Sequence, residues 1–325
     1  MIKTNKKEFG MTKWKVLITD GLDENGKTLL KKSVEVTDQP GISADDLLKV
    51  VGEYDALIVR GRTKVTAAVF EAGKKLKVVG RAGVGVDNID LAAAKAKGVT
   101  VVNSPLATTT AVAELTLGLM LGIVRELARA DASMKAGKWL KKEFEGAELS
   151  GKTLGVLGFG RIGAAVAKRA AAFDMKVLGF DPLIPADEIK KRGGEPLSFD
   201  EVLKNSDMIT MHLPLTPDTK GMLNAAAFAK MKQGVYIICA ARGGVIDETA
   251  LLDGLNSGKV AGAALDVLTS EPPGPELAGL VGHARLIITP HVGAQTVEAQ
   301  ARAANDIAEE ILAALDDKML RWKVA

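Results

Sequence analysis

The stretch Leu154-Gly155-Val156-Leu157-Gly158-Phe159-Gly160-Arg161-Ile162-Gly163, closed by Val177-Leu178-Gly179-Phe180-Asp181, decides the fold. An apolar run precedes Gly-x-Gly-x-x-Gly, an Ala-rich helical stretch follows, and a second apolar run ends in an acid. Strand, tight turn, helix and strand in that order form the unit that holds a dinucleotide. Gly158 permits the turn, Gly160 lets the backbone approach a pyrophosphate, and Gly163 lets the helix pack close to the strand. The pyrophosphate is expected on the helix N-terminal N–H groups, around Arg161 and Ile162, where the dipole favours negative charge. Asp181 stands at roughly the 20-residue spacing of an acid that bonds the adenosine ribose. A carboxylate there repels a 2′-phosphate, and Pro182 rather than an Arg follows it, so the predicted coenzyme is NAD.

Working outward, the same alternation of short apolar runs and helical stretches fills both sides of the motif. Downstream, strands are predicted at Thr153–Leu157, Lys176–Phe180, Met208–His212, Val235–Cys239, Ala261–Leu265 and Leu286–Ile288. Upstream they are predicted at Lys15–Ile18, Ser33–Thr37, Ala56–Val59, Lys77–Gly80 and Thr100–Asn103, with helices at Ser43–Val51, Thr66–Ala72 and Leu91–Lys97. Alternation of this kind means parallel sheets with helices on both faces. One long apolar helix, from about Thr110 to Met134, separates the two sets, and an Ala-rich helix from Thr296 to Leu315 closes the sequence. The expected class is α/β, with two doubly wound lobes. The greasy surface of the Thr110–Met134 helix exceeds what one lobe should cover and predicts a homodimer.

Composition excludes several function classes. The 325 residues suggest two domains. The 43 basic and 40 acidic residues nearly cancel, which argues against nucleic acid and membrane as partners. A single cysteine, Cys239, excludes an intrachain disulfide framework and fits a reducing, cytoplasmic setting. It lies in an apolar run, where inert burial is expected. The first ten residues are polar and basic and do not form a signal peptide; Met11 is a candidate natural start. The longest apolar run, Leu115 to Val124, is too short for a bilayer and is bracketed by Glu114 and Arg125.

Ligands of doubly wound sheets bind beyond the carboxyl ends of strands. Three such places carry reactive side chains: Ala240-Ala241-Arg242-Gly243-Gly244, Asp266 through Glu271-Pro272-Pro273, and Thr289-Pro290-His291-Val292-Gly293. Arg242, flanked by glycines, can grip a carboxylate with two parallel hydrogen bonds, or can form a surface ion pair. His291 ends a strand, as does His212 ahead of Leu213 and Pro214, and the spacing alone does not rank them as proton-transfer groups. Glu271 is either a solvated acid or the partner of a histidine, whose charged form it would favour. No metal-ligand spacing and no Ser or Cys nucleophile motif occurs.

From about Trp14 to Ala314 the chain resembles the D-isomer-specific 2-hydroxyacid dehydrogenases, and within them the branch that oxidises 3-phosphoglycerate. The stretches that carry the resemblance are Leu57-Ile58-Val59-Arg60, Thr63-Lys64-Val65-Thr66, Val79 to Asp90, Ala113-Glu114-Leu115-Thr116 and Gly158 to Gly163. Others are Ala241-Arg242-Gly243-Gly244, Ala264-Leu265-Asp266-Val267, Glu271-Pro272-Pro273 and Thr289 to Ala294.

The resemblance implies His291 as acid/base, Glu271 as its partner, and Arg242 as the group that orients the substrate carboxylate and polarises the reacting carbonyl. Asp266 would meet the nicotinamide carboxamide. The implied cofactor set is Gly158, Gly160, Arg161, Ile162, Gly163, Asp181, His212, Leu213, Pro214, Ala240, Ala241, Asp266, His291 and Gly293. The amides of Val84 and Gly85 would hold the substrate carboxylate, and Arg60 and Arg81 its phosphate, with Lys141 a further cation from a dimer partner. It also implies a flavodoxin-like substrate domain, residues 1–104 plus 296–325, into which an NAD-binding Rossmann domain, 105–295, is inserted, with catalysis in the cleft. Cys239 stands where the family usually has Asn, Ala107-Thr108 where Gly-Asn is usual, and Gly61-Arg62 where Ser-Ala is common. Another 2-hydroxy acid, such as glyoxylate or hydroxypyruvate on the reductive side, therefore stays open. A corepressor-like NAD-sensing role would keep the same triad, but the chain carries no polar tail for recruiting partners. The sequence ends soon after the last helix, so feedback through an appended serine-binding domain is not expected.

Overall fold

The computed structural model describes residues 14–325. The readings of residues 1–10 and of Met11 lie outside the described residues. The described residues divide into two compact units, one of residues 14–108 and 297–325 and one of residues 109–296.

The first unit alternates strands β1 (Lys15–Ile18), β2 (Glu35–Asp38), β3 (Ala56–Val59), β4 (Val78–Arg81) and β5 (Thr100–Asn103) with helices α1 (Glu24–Lys31), α2 (Ala44–Val50), α3 (Ala67–Ala72) and α4 (Leu91–Lys97). The five strands are parallel in the order β2-β1-β3-β4-β5, the flavodoxin-like order. Both faces are buried, so its inner strands are continuous apolar runs. Val16, Ile18, Ile58 and Val78 face one core, and Leu17, Leu57, Val59 and Val79 the other. Asp23, Ser43 and Asp90 each cap a helix by accepting a backbone N–H, which fixes where α1, α2 and α4 begin.

The second unit holds β6 (Thr153–Leu157), β7 (Lys176–Phe180), β8 (Glu195–Pro196), β9 (Met208–Met211), β10 (Val235–Cys239), β11 (Val260–Leu265) and β12 (Leu286–Ile288). Its helices are α5 (Thr109–Val124), α6 (Leu127–Lys135), α7 (Arg161–Ala171), α8 (Ala186–Lys191), α9 (Phe199–Asn205), α10 (Ala225–Lys230), α11 (Glu248–Ser257) and α12 (Ala278–Val281). All seven strands are parallel, in the order β12-β11-β10-β9-β6-β7-β8. This is the dinucleotide-binding layout with one strand added at the β12 edge. α5 and α7 cover one face, and α9, α10, α11 and α12 the other. The last helix, α13 (Val297–Leu315), belongs to the first unit, where Ile307 and Ile311 pack over Gly80 of β4; a Cβ there would lie 2.8 Å from Ile307.

Two features differ from the sequence reading. β8 is a seventh strand of two residues, too short to carry a periodic signal. The long apolar helix is two helices, broken at Glu126, which takes a left-handed backbone at φ 50. The break is where the chain at Gly146-Ala147 crosses: the Ala147 N–H donates to the Val124 carbonyl at 2.9 Å. α5 is buried within its own unit, whereas α6 has no buried residue and exposes Leu127 and Met134. No helix among the described residues is long and apolar enough to cross a membrane.

Candidate active site

In each sheet the strand order reverses beside the first strand, and the side chains expected to hold ligands gather at that carboxyl end. In the second unit the reversal lies between β6 and β9. Gly158 follows β6 at φ 97, and a Cβ on it would lie 2.7 Å from the His212 carbonyl carbon, so the turn requires glycine. Gly163 packs against the same turn: its Cβ would lie 2.0 Å from the Gly158 oxygen. Gly160 faces open space, with nothing within 4 Å of where a Cβ would be. α7 starts at Arg161 with no side-chain cap. The amides of Gly160, Arg161, Ile162 and Gly163 donate to no other group among the described residues. Uncapped amides facing open space fit a pyrophosphate.

Asp181 has a second task. One carboxylate oxygen accepts the Phe159 N–H at 2.8 Å, and the other accepts Leu183 and Ile184 N–H at 2.9 and 3.2 Å. The acid thus shapes the glycine turn, and with about four lone-pair sites in all it keeps room for one more donor. Arg192, which sequence reasoning missed, buttresses the turn by donating to the Phe159 carbonyl at 2.8 Å while pairing with Glu188.

The three histidines separate clearly. His212 Nε2 shares a hydrogen bond with the Thr210 hydroxyl at 3.0 Å, and its buried Nδ1 has no partner. Burial pushes its imidazole down to about 3, so it is neutral near pH 7. His283 accepts the Arg285 N–H at 3.1 Å; burial and Arg285 lower its proton affinity. His291 alone meets a carboxylate: its Nδ1–H donates to Glu271 at 2.8 Å, with both side chains partly exposed. A carboxylate only accepts, so the proton sits on Nδ1 and Nε2 is the nitrogen left for a substrate.

This pair is assembled from the ends of two neighbouring strands, β11 and β12. Asp266, just past β11, is 1% exposed. Its carboxylate accepts the Thr289 hydroxyl at 2.5 Å and the Val292 and Gly293 N–H groups at 2.8 Å, and its carbonyl accepts the His291 N–H at 2.9 Å. These bonds hold His291 at φ 54, a left-handed conformation that strains a non-glycine residue. Glu271 also accepts the Leu268 N–H at 3.2 Å. A cavity of about 390 Å³ beside the pair is lined by Leu268, Pro272, Val281 and Ile288.

Arg242 lies on the loop after β10, where Ala240 and Ala241 precede it, and donates to the Ala241 carbonyl at 2.7 Å. Cys239 ends β10; burial pushes its thiol up to about 11, so it is an inert packing group. Leu213 is buried and Pro214 exposed on the loop after β9. Lys141 is exposed in a short 3-10 turn.

In the first unit the order reverses between β1 and β3. Asp20, past β1, accepts the Arg60 N–H at 2.8 Å, the Thr63 N–H at 3.0 Å and the Thr63 hydroxyl at 2.5 Å. It was absent from the sequence-derived candidates, although its place at a strand's carboxyl end was a usable signal. Asn88 ties the same loop by donating to the carbonyls of Arg60 and Thr63 at 3.0 and 2.6 Å. Burial lowers the Arg60 guanidinium from its ordinary value, and it makes no side-chain hydrogen bond among the described residues. Arg81 ends β4 with its guanidinium over Gly83, where a Cβ would lie within 1.6 Å of it. The amides of Val84 and Gly85 donate to no other group among the described residues.

Residues 117–293 match the family described as D-isomer specific 2-hydroxyacid dehydrogenase, NAD binding domain. The chain belongs to the D-isomer-specific 2-hydroxyacid dehydrogenases. It is 48% identical over 310 residues to D-3-phosphoglycerate dehydrogenase 2, chloroplastic, of Arabidopsis thaliana, covering 95% of this chain and 50% of that protein. It is 47% identical over 304 residues to a hydroxypyruvate reductase of Thermotoga maritima, covering 93% of this chain and 98% of the other. Among solved structures, a glyoxylate reductase from Paecilomyes thermophila superposes with a TM-score of 0.88 at 31% identity, covering 97% and 99% of the two chains. The chain spans about half the length of the phosphoglycerate dehydrogenases it matches. The second unit of this dehydrogenase-family chain is thus an NAD-binding domain, and the uncapped α7 amides and the Asp181 carboxylate are its residues that fit the coenzyme.

Proposed function

We propose that the chain is an NAD-dependent dehydrogenase that interconverts 3-phosphoglycerate and 3-phosphohydroxypyruvate, a step toward L-serine. The observation that carries the reading is the 2.8 Å bond from His291 Nδ1–H to Glu271. When bound, the nicotinamide supplies the acceptor or donor of hydride at the substrate C2. His291 Nε2 takes the hydroxyl proton in oxidation and returns it in reduction, while Glu271 fixes the ring's tautomer and orientation. Arg242 aligns the substrate carboxylate and draws density from the reacting carbonyl. Arg60 is the phosphate ligand best supported by its surroundings, because a half-buried cation without a hydrogen bond gains most from an anion. Arg81 is a second candidate.

One observation favours a different substrate: the chain is as similar to a hydroxypyruvate reductase, at 47% identity, as it is to a phosphoglycerate dehydrogenase. Both readings share the proton-transfer pair and differ in the anion held by Arg60. The test is NADH absorbance with 3-phosphoglycerate, glycerate, hydroxypyruvate and glyoxylate, on the parent and on His291→Gln. We expect 3-phosphoglycerate to give the highest kcat/KM. We expect the variant to lose roughly 100-fold or more in kcat, while NADH still quenches protein fluorescence with unchanged affinity. Preference for an unphosphorylated acid would replace the substrate, and undiminished turnover in the variant would remove His291 from the mechanism.

We further propose that two copies associate through α6 and the segment after it, where Leu127, Met134 and Trp139 are exposed. Apolar side chains gathered on one exposed segment mark an interface.

A further inference from the structure

We infer that Glu248, outside every group assigned to catalysis or binding above, is a positioning residue for the Glu271–His291 pair, an inference that rests on the dehydrogenase reading. Glu248 opens α11, whose cap is Asp247. Its carboxylate accepts the backbone N–H of Thr269 at 2.7 Å, across 21 residues of sequence. Thr269 stands two residues before Glu271, within the segment that leaves β11. Without Glu248, that N–H would have no other protein acceptor among the described residues.

The segment is gripped from its other side as well. Gly243, next to Arg242, lies flat on the Leu268–Thr269 peptide: a Cβ on it would stand 1.9 Å from the Leu268 oxygen and 2.6 Å from the Thr269 nitrogen. The stretch from Arg242 to Glu248 therefore clasps residues 268–269 at both ends, through close packing at Gly243 and through a charge-assisted hydrogen bond at Glu248. Beyond the clasp, the Leu268 N–H donates to one Glu271 oxygen and His291 donates to the other. Glu248 thus sets the height of the Glu271 carboxylate against the ring of His291, and it couples that height to the loop bearing Arg242. A displacement of about 1 Å at such a pair can cost a hundredfold in rate.

The test compares Glu248→Ala, which removes the acceptor, with Glu248→Gln, whose amide oxygen keeps it. The parent has three histidines, so imidazole spectra of 15N-histidine-labelled protein resolve three rings, and His291→Gln identifies the third. We expect the Nδ1–H signal of His291 to persist in the parent and in Glu248→Gln, and to be lost to solvent exchange in Glu248→Ala. On the 2-hydroxy acid that the parent turns over best, kcat should fall roughly tenfold to a hundredfold in Glu248→Ala, with NADH affinity and KM little changed and Glu248→Gln close to the parent. A persistent signal in Glu248→Ala, or equal damage from Glu248→Gln, overturns the inference. If the parent oxidises no 2-hydroxy acid, the functional reading fails on its own, and the histidine spectra still decide the positioning role.

Discussion

Replacing His212 by Gln should flatten the acid side of the stability profile. His212 is partly buried with its ring Nδ1 shielded from water, and its proton affinity falls from the ordinary 6.5 to about 3. Between those values the unfolded chain binds a proton that the folded chain refuses. The contribution is therefore complete above pH 6.5 and is lost as pH falls toward 3. Linkage over that interval gives about 2 kcal/mol lost by pH 5 and on the order of 4 kcal/mol by pH 3. For a unit of this size the pH 5 loss corresponds to about 4–8 °C in Tm. The assay is urea unfolding of the coenzyme-free protein at intervals from pH 7.5 to 5, followed by circular dichroism, on parent and His212→Gln. Gln cannot take up a proton, so the stability difference between the two should move by about 2 kcal/mol in favour of the variant over this range. Parallel profiles would mean that His212 ionises freely in the folded protein, and the reasoning from its buried, unpartnered Nδ1 would fall.

Two further outcomes follow from the site and the surface. Arg60→Ala should weaken 3-phosphoglycerate by roughly 10- to 100-fold, as expected for one charge-assisted contact, and leave NADH affinity unchanged; equal losses for both ligands in steady-state and fluorescence titrations would refute a phosphate role. Light scattering should give twice the chain mass of 34.1 kDa for the parent, and the chain mass for a Leu127→Asp, Met134→Asp double variant; a monomeric parent would refute association through α6.

What was legible in the sequence follows from the physics of each part. Inner parallel strands buried on both faces are runs of β-branched and aliphatic residues, so β1, β3, β6, β7 and β10 matched their expected limits. The edge strand β2 began two residues later than expected, because an edge strand has fewer apolar positions to mark it. The break between α5 and α6 was hidden: no Gly or Pro marks it, and its cause is the crossing of residues distant in sequence at Gly146-Ala147. The glycine turn was readable because only glycine fits the Gly158 conformation and the contact at Gly163. Glu271 and His291 are 20 residues apart with no shared period, and they meet only because β11 and β12 are neighbours. Spacing alone could not separate His291 from His212; burial and a carboxylate neighbour do.

The acids at strand ends carry a structural task that residue type alone does not disclose. Asp20 follows β1, Asp181 follows β7, and Asp266 follows β11, each where a ligand is expected. Each accepts three hydrogen bonds from loop groups of its own unit, most of them backbone N–H groups. The reason is electrostatic: loops beyond parallel strands carry amides that no ladder satisfies, and a carboxylate satisfies several at once. Such acids are scaffold first, and any ligand contact uses the acceptor capacity that remains. For Asp181 this sharpens the case for NAD. An acid fixed by the Phe159, Leu183 and Ile184 amides cannot swing aside for a 2′-phosphate, so the repulsion is built into the same bonds that shape the glycine turn.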